Sequence, residues 1–164
     1  MKYKKEQEFE EIIKQYKRTI YTVCYMFSND NEEINDIFQE ILIRLWIGYD
    51  RFKNHSSVNT WIYRIALNTA INYDKRRKRE QHNIPLNTDI DPYDLQDNSL
   101  EQIQQLYAII NQLDVIDRGI VLLWLEGISY DEIASIIGIT VANVGIKLHR
   151  IKEKLIQKAK YNNK

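Results

Sequence analysis

Side chains suited to binding an unstacked nucleic-acid strand recur at a regular spacing between residues 61 and 75. On a helix, spacings of three or four residues place them on one continuous face, which comprises Trp61, Arg64, Asn68, Asn72 and Lys75. An aromatic ring can stack on a base, an asparagine can read a base edge and an arginine can hold a phosphate. The alternative is that Trp61 belongs to the core and that the asparagines only reflect a chain rich in asparagine.

Basic residues are concentrated in two segments, although the chain as a whole has a net charge of zero. Residues 75–79 read Lys-Arg-Arg-Lys-Arg, and residues 147–164 hold seven basic residues against the single acid Glu153. Residues 85–112 hold five acids and no lysine or arginine. This distribution indicates two nucleic-acid contacts joined by an acidic connector, or alternatively two basic helix ends that are merely solvated.

Residues that could support catalysis are few and scattered. The three histidines, His55, His82 and His149, belong to no metal-binding or catalytic motif, and no glycine-rich phosphate loop is present. The single Cys24 lies between apolar and aromatic residues, which is typical of a small buried hydrophobic residue. The sequence therefore predicts a protein that is not an enzyme, with no metal site, no cofactor and no disulfide, as suits the cytoplasm.

The last third of the chain has the pattern of a helix-turn-helix. A first helix ends at Gly127, a second begins at Ser129 and ends at Gly138, and a third begins at Thr140 and becomes basic along its length. Ser129 and Glu132 match the reciprocal S-x-x-E helix cap, and the two glycines supply the left-handed backbone at which helices end. A short capped helix followed by a longer basic one is typical of DNA-binding proteins.

Helical periodicity elsewhere predicts an all-α fold of two small helical domains joined by a flexible linker. Apolar residues recur at helical spacing in residues 6–27 and 32–49, and a third helix capped by Asn59 or Thr60 follows. The periodicity disappears in the proline- and asparagine-containing segment 81–99. We therefore predict domains at 1–80 and 100–164 around this linker. No signal peptide and no membrane-spanning segment are predicted.

Three segments together resemble the RNA polymerase sigma factors of the extracytoplasmic-function (ECF) group. Asp36–Trp46 resembles their polymerase-docking helix, and Thr60–Ala70 resembles their promoter-melting helix. Leu125–Ala134, followed by Val144–Arg150, resembles their helix-turn-helix. The resemblance implies a region 2-like first domain, a region 4-like second domain, and a dissociable polymerase subunit that recognises and opens promoters.

The resemblance also implies a role for individual residues. The docking helix would contact a coiled coil of the polymerase through Asp36, Gln39, Glu40 and Arg44, with Ile37, Ile41 and Leu45 facing the core. The melted non-template strand at the minus-ten element would be held by Lys53, Asn54, His55, Ser56, Trp61, Arg64, Asn68, Asn72 and Lys75. Arg76, Arg77 and Lys78 would hold the phosphates of the adjacent duplex.

The last helix would read the minus-thirty-five element through Thr140, Val141, Ala142, Asn143, Lys147 and Arg150. Gly145 departs from the family, which usually has a polar or basic residue there. The expected partners are core polymerase, promoter DNA in duplex and melted form, and an anti-sigma factor of the kind common in the family. Two alternatives are a stand-alone helix-turn-helix regulator, for which no dimerisation segment is found, and a polymerase-binding adaptor, which would not need the basic clusters.

Overall fold

A computed structural model describes residues 2–52, 56–80, 106 and 108–162, and every regular element in these residues is helical. The prediction of an all-α fold is therefore confirmed. We number the helices α1 (Lys2–Phe27), α2 (Asn31–Tyr49), α3 (Val58–Glu80), α4 (Val115–Leu125), α5 (Tyr130–Ile137) and α6 (Val141–Asn162). The chain divides into two compact units, Met1–His82 and Asn83–Lys164.

In the first unit, α1, α2 and α3 pack against one another around an aliphatic core. The side chains that are inaccessible to solvent at its centre are Ile20, Ile37, Ile41, Leu45, Ile62 and Leu67. The turn between α1 and α2 is closed by Asp30, whose side chain accepts a hydrogen bond from the Glu33 amide at 3.0 Å. This cap satisfies one of the unpaired amides at the start of α2 and fixes where the helix begins.

Aromatic rings join the three helices at one end of the unit. The ring of Phe9 on α1 meets Trp46 edge-on at 5.0 Å and Tyr49 at 5.5 Å. Tyr49 in turn lies 6.4 Å from Trp61 at the start of α3, measured between ring centroids. Edge-to-face arrangements at these separations are favourable, and the cluster therefore ties the end of α2 to the beginning of α3.

The start of α3 differs from the prediction. The helix begins at Val58, and the hydroxyl of Ser57 accepts a hydrogen bond from the Thr60 amide at 3.1 Å. Ser57, and not Asn59 or Thr60, therefore satisfies this amide. Thr60 is buried, because the first turn of α3 packs into the core instead of lying at a solvated helix end.

The second unit contains the predicted helix-turn-helix with its predicted ends. Ser129 accepts a hydrogen bond from the Glu132 amide at 3.3 Å, and Gly127 and Gly138 have φ of 75° and 83°. The chain bends by 98° between α5 and α6. The three helices contact one another, and their buried apolar side chains include Ile120, Leu123, Ile133, Val144, Leu148 and Ile151. This geometry leaves one side of α6 uncovered by the rest of the unit.

Some predictions concern residues that the structure does not describe. The predicted linker at 81–99 lies outside the described residues, as does most of the predicted helix start after residue 100. In the described residues no single helix is long and apolar enough to span a membrane. Helices α5 and α6 reach that length and composition only when counted together across their 98° bend.

Two glycines in the second unit should respond to the same substitution with opposite signs. Gly138 needs its left-handed backbone, so Gly138→Ala should lower the free energy of unfolding by about 1–2 kcal/mol. Gly145 lies inside α6, and an added Cβ would have no neighbour closer than 3.9 Å. Gly145→Ala should therefore raise the free energy of unfolding by about 0.5–1 kcal/mol. Urea denaturation followed by circular dichroism measures both changes. Equal effects of the two substitutions would contradict this assignment.

Candidate nucleic-acid and polymerase interfaces

Helix α2 is divided into a buried side and an exposed side, as the sequence predicts. Ile37, Ile41 and Leu45 are completely buried against α1 and α3. Asp36 and Gln39 are exposed on the opposite side. These two polar side chains are therefore free to contact a partner without disturbing the core.

Glu40 on α2 is held by two arginines. Arg44 Nη2 donates to Glu40 Oε1 at 3.2 Å, and Arg76 Nη2, from the end of α3, donates to Glu40 Oε2 at 2.7 Å. Such partly exposed ion pairs contribute only about 0–1 kcal/mol each, so either arginine can exchange this carboxylate for another partner at low cost. Residues predicted for polymerase docking and for DNA binding thus meet at one carboxylate.

The basic end of α3 contains an internal ion-pair network. The carboxylate of Asp74, only 1% exposed, accepts a hydrogen bond from Arg77 at 2.8 Å and lies 3.0 Å from Lys78 Nζ. Arg77 also donates to Glu33 on α2 at 2.8 Å. The structure therefore places the guanidinium of Arg77 against two carboxylates of its own unit, and its role in phosphate binding stays a prediction. Lys75 and Arg79 are exposed on the same stretch of helix.

Burial and neighbouring acids change the ionisation of Tyr73 beside this network. Its pKa is raised above the usual value first by burial and then by the negative charges of Glu33 and Asp36. The guanidinium of Arg76 lies 5.7 Å from the Tyr73 ring centroid and acts in the opposite direction. The Tyr73 ring therefore lies within cation–π distance of Arg76.

Trp61 is not on the exposed face where the spacing places it. It is 8% exposed, and its ring stacks on Phe52 with a centroid separation of 4.5 Å and an interplanar angle of 23°. The prediction of an exposed aromatic is wrong because four consecutive residues, 60–63, are buried where α3 starts between α1 and α2. Trp61 therefore belongs to the core, which is the alternative interpretation of the sequence. Its ring is not available as a stacking surface for bases.

The remaining members of that face lie further along α3. Asn68, Asn72 and Lys75 are exposed, as predicted, and Arg64 is half-buried. Lys53, Asn54 and His55 lie outside the described residues. Ser56 is half-buried, and its hydroxyl donates to the carbonyl of Ser57 at 3.3 Å.

Asn68 and Asn72 form one wall of a groove between α2 and α3. The groove has a volume of about 350 Å³ and is lined by Arg44, Ile47, Gly48, Arg51, Ile65, Asn68, Thr69 and Asn72. Two guanidinium groups come from α2 and the stretch after it, and two carboxamides come from α3. Ile65 lies opposite Gly48 here, and a Cβ on Gly48 would be in ordinary van der Waals contact with Ile65 Cδ1 at 3.5 Å. This combination of amide, cation and apolar surface suits a planar heterocycle attached to a phosphate.

The α2 side of this groove is not predicted from the sequence. Arg44 is predicted to dock on the polymerase, and Ile47, Gly48 and Arg51 are not among the predicted site residues. These four residues follow one another at helical spacing, which places them on one face of α2 and its extension. That spacing is a usable signal, but the pairing of this face with Asn68 and Asn72 depends on how α2 packs against α3.

The start of α6 presents four of the predicted DNA-reading residues. Thr140 accepts a hydrogen bond from the Asn143 amide at 3.2 Å and thereby caps the helix. Val141, Ala142 and Asn143 are exposed on its first turn, and Arg150 is exposed two turns later. These residues occupy the uncovered side of the helix-turn-helix.

Lys147, which is predicted to read DNA, has a partner within its own unit. Its ammonium group donates a hydrogen bond to Asp117 on α4 at 3.3 Å, and Asp117 is only 13% exposed in its side chain. Lys147 therefore joins α6 to α4 within the unit. Ile146, which is not among the predicted DNA-reading residues, is 50% exposed on the same helix.

Groups with other chemistry are either inert or isolated. Burial raises the pKa of the Cys24 thiol to about 12, so the thiolate that a nucleophile requires is not formed near neutral pH. In the part of the chain that the structure describes, no three His, Cys, Asp or Glu side chains are grouped so that they could hold a metal ion. His149 is exposed and lies 3.3 Å from Glu153.

Two family models match the chain in separate segments. The model of Sigma-70 region 2 matches residues 12–80, which include α2, α3 and the groove. The model of Sigma-70 region 4 matches residues 103–155, which include the helix-turn-helix. The two segments occur in the same order and nearly the same places as the two predicted domains.

Curated relatives align along most of the chain. The ECF RNA polymerase sigma factor SigX of Bacillus subtilis is 25% identical over 155 residues, which cover 88% of this chain and 80% of SigX. SigW of the same organism is 27% identical, with 90% of this chain and 86% of SigW covered. The ECF sigma-E factor of Escherichia coli is 29% identical over 77% of this chain and 73% of its own length.

Solved structures show the same fold. The sigma factor RpoE of Bartonella quintana, solved with the anti-sigma factor NepR, superposes with a TM-score of 0.78 at 20% identity over 94% of this chain and 98% of RpoE. CnrH, solved with the cytosolic domain of CnrY, gives 0.70 at 17% identity over 95% of this chain and 90% of CnrH. With both sigma regions matched in order and relatives aligned along most of their length, the chain belongs to the sigma-70 family, as an ECF RNA polymerase sigma factor.

Proposed function

We propose that this sigma factor docks on core polymerase through the exposed side of α2, holds an unpaired promoter base in the α2–α3 groove, and reads upstream duplex DNA with α6. The observation that carries the proposal is the groove itself, whose lining combines two asparagines, two arginines and two isoleucines. In this proposal the protein acts in the cytoplasm. It catalyses no reaction itself, because the catalytic site belongs to the polymerase.

The groove's chemistry agrees with a role in holding a melted strand. An asparagine side chain offers both a donor and an acceptor to a base edge, and Arg44 and Arg51 supply positive charge for the attached phosphate. Flipping a base costs a few kcal/mol, whereas contacts to an unstacked base return about 1–3 kcal/mol. For a single base, the cost of flipping and the free energy of the contacts therefore nearly cancel. The free protein should therefore not open duplex DNA, and opening should require polymerase.

Trp61 takes a different role in this proposal. Its ring lies beneath Gly48, since a Cβ on that glycine would be 3.7 Å from Trp61 Cζ2, and Gly48 lines the groove. Trp61 thus supports the floor of the groove from the core side. It positions the residues that contact DNA and does not itself contact a base.

The charge distribution supports docking through Asp36 and Gln39 with Glu40 beside them. Asp36 and Gln39 are exposed on one side of α2, and Glu40 already binds two arginines. A partner that offers cations to Glu40 would release Arg44 towards the groove and Arg76 towards phosphate. Docking and DNA binding would then support each other, with a coupling limited by two partly exposed ion pairs.

An anti-sigma factor is a further proposed partner. RpoE of Bartonella quintana was solved in complex with the anti-sigma factor NepR, and CnrH was solved in complex with the cytosolic domain of CnrY. This chain shares their fold, and a regulator that covers the exposed side of α2 would prevent docking.

Promoter-dependent transcription decides the proposal as a whole. Core polymerase supplemented with this chain should start transcription at specific sites, and a footprint should show an asymmetric two-part site. Core polymerase alone provides the control. A two-fold symmetric footprint formed by the chain without polymerase would instead support a stand-alone regulator.

Charge reversal on α2 tests docking. Asp36→Arg should weaken binding to core polymerase about tenfold or more without unfolding the protein, because the side chain is exposed and lies off the buried stripe. Glu11→Arg, an equal charge reversal at an exposed site on α1, should leave the affinity unchanged. Titration of labelled core polymerase measures both, and equal affinities for the two variants would refute this docking face.

Truncation inside the groove tests strand capture. Asn68→Ala should reduce open-complex formation about two- to tenfold, the loss expected for one or two hydrogen bonds, while binding to core polymerase is retained. Gln15→Ala removes an exposed carboxamide from α1 and is the matched control. Permanganate reactivity of promoter thymines reports opening. Wild-type reactivity in the Asn68 variant would exclude the groove as the binding site.

Salt dependence separates the two cations of α6. Arg150→Ala should lower the slope of log K against log salt concentration for promoter binding by about one unit, as expected when one phosphate contact is lost. Lys147→Ala should leave the slope nearly unchanged, because its ammonium group is bonded to Asp117. Anisotropy titrations of the holoenzyme at several salt concentrations measure the slopes. Equal losses would show that Lys147 leaves Asp117 to bind phosphate.

A further inference from the structure

The side of α6 that faces away from the core has an apolar centre. Val144, Leu148 and Ile151 are at most 1% exposed and define the inner side of the helix. Successive residues turn by about 100°, so Ala142 and Ile146 lie on the opposite side. Ile146 keeps half of its surface exposed there, one turn after Ala142.

Three titratable side chains near this centre contact other groups, whereas Arg150, one turn after Ile146, is exposed. Lys147 is bonded to Asp117 at 3.3 Å, and the Lys152 ammonium group lies 4.3 Å from the centroid of the Trp124 ring. His149 is paired with Glu153 one turn further along, at 3.3 Å. The first two turns of α6 therefore present an uncharged outer surface, in which Asn143 is the polar group beside Ile146.

Small residues next to Ile146 allow a close approach. Ala142 precedes it by one turn, and Gly145 is its neighbour in the chain. A Cβ on Gly145 would meet nothing nearer than the edge of the Tyr130 ring at 3.9 Å, so the space beside Ile146 is open. A helix with this profile can enter a groove deeply, with the isoleucine as its most protruding apolar group.

We propose that Ile146 is a specificity-determining residue that packs against thymine C5-methyl groups in the major groove of the upstream promoter element. The proposal rests on the proposed function of α6 as the duplex reader. The thymine methyl is the apolar group that base edges present in the major groove, so it is the feature that an isoleucine can distinguish. The upstream element should therefore contain one or two T·A pairs that are read by contact with Ile146.

Exposed isoleucines also occur on helices without a binding role, and α6 offers one for comparison. Ile156 is 56% exposed on the same helix, ten residues further along and beyond the His149–Glu153 pair. The acid at Glu153 disfavours close contact with phosphates at that point. Ile156 is thus a matched control with nearly the same exposure as Ile146.

Removal of single methyl groups from the DNA and from the protein tests the proposal. Holoenzyme is first used to select upstream elements from a promoter library randomised in that region. Each thymine of a selected element is then replaced by deoxyuridine, which lacks only the methyl group. Wild-type holoenzyme should lose about three- to fivefold in affinity at one or two positions, the value expected for one buried methyl group. Ile146→Ala should be insensitive at those positions, and Ile156→Ala should behave as wild type.

The outcomes distinguish this inference from the proposed function. Loss of the methyl effect in Ile146→Ala alone supports the inference. If Arg150→Ala and Asn143→Ala weaken upstream binding while Ile146→Ala responds to every deoxyuridine as wild type does, α6 remains the reader and the inference is overturned. Selected elements without thymine opposite α6 would overturn it as well. Absence of any upstream footprint would refute both the proposed role of α6 as the duplex reader and the proposed contact of Ile146 with thymine.

Discussion

The burial of Trp61 is the interaction on which the first unit depends. Its ring is stacked on Phe52 and lies near Tyr49, which is itself packed against Phe9 on α1. This contact brings three segments to one point and sets the register between α2 and α3. Because the register is set, Gly48 lies opposite Ile65, and both residues line the groove together with the arginines and asparagines. Removing the aromatic contact would therefore affect the groove without touching any residue on its surface.

Ion pairs divide the basic side chains of the same unit into two groups. Asp74 is almost completely buried and holds Arg77 and Lys78, so part of the basic cluster stabilises the fold. Glu40 is partly exposed, and its arginine partners can be exchanged with little change in free energy. The chain has a net charge of zero. Some of its basic side chains are nevertheless available for DNA, because the buried carboxylate binds only part of the basic cluster. The difference between a structural and an available cation is how deeply its partner is buried.

The second unit applies the same principle to a single helix. In α6, Lys147 faces Asp117, whereas Arg150 remains exposed, although both are basic residues at positions that helix-turn-helix proteins use for DNA. The exposed surface at the start of α6 is therefore formed more by the uncharged residues Asn143, Ala142 and Ile146 than by charged side chains. We expect such a surface to discriminate among base pairs more than it binds phosphates, and to depend on the other unit and on polymerase for affinity.

The sequence by itself determined the helical fold, the ends of the helix-turn-helix helices and the buried stripe of α2. These features depend on local periodicity, caps and left-handed glycines, which are properties of neighbouring residues. Only the tertiary structure decided that Trp61 is buried, that Ser57 bonds to the Thr60 amide, and that Arg77 and Lys147 have partners within their own units. Each of these outcomes depends on which helix lies opposite a side chain, and helical spacing gives a residue's direction on its own helix but not its neighbour.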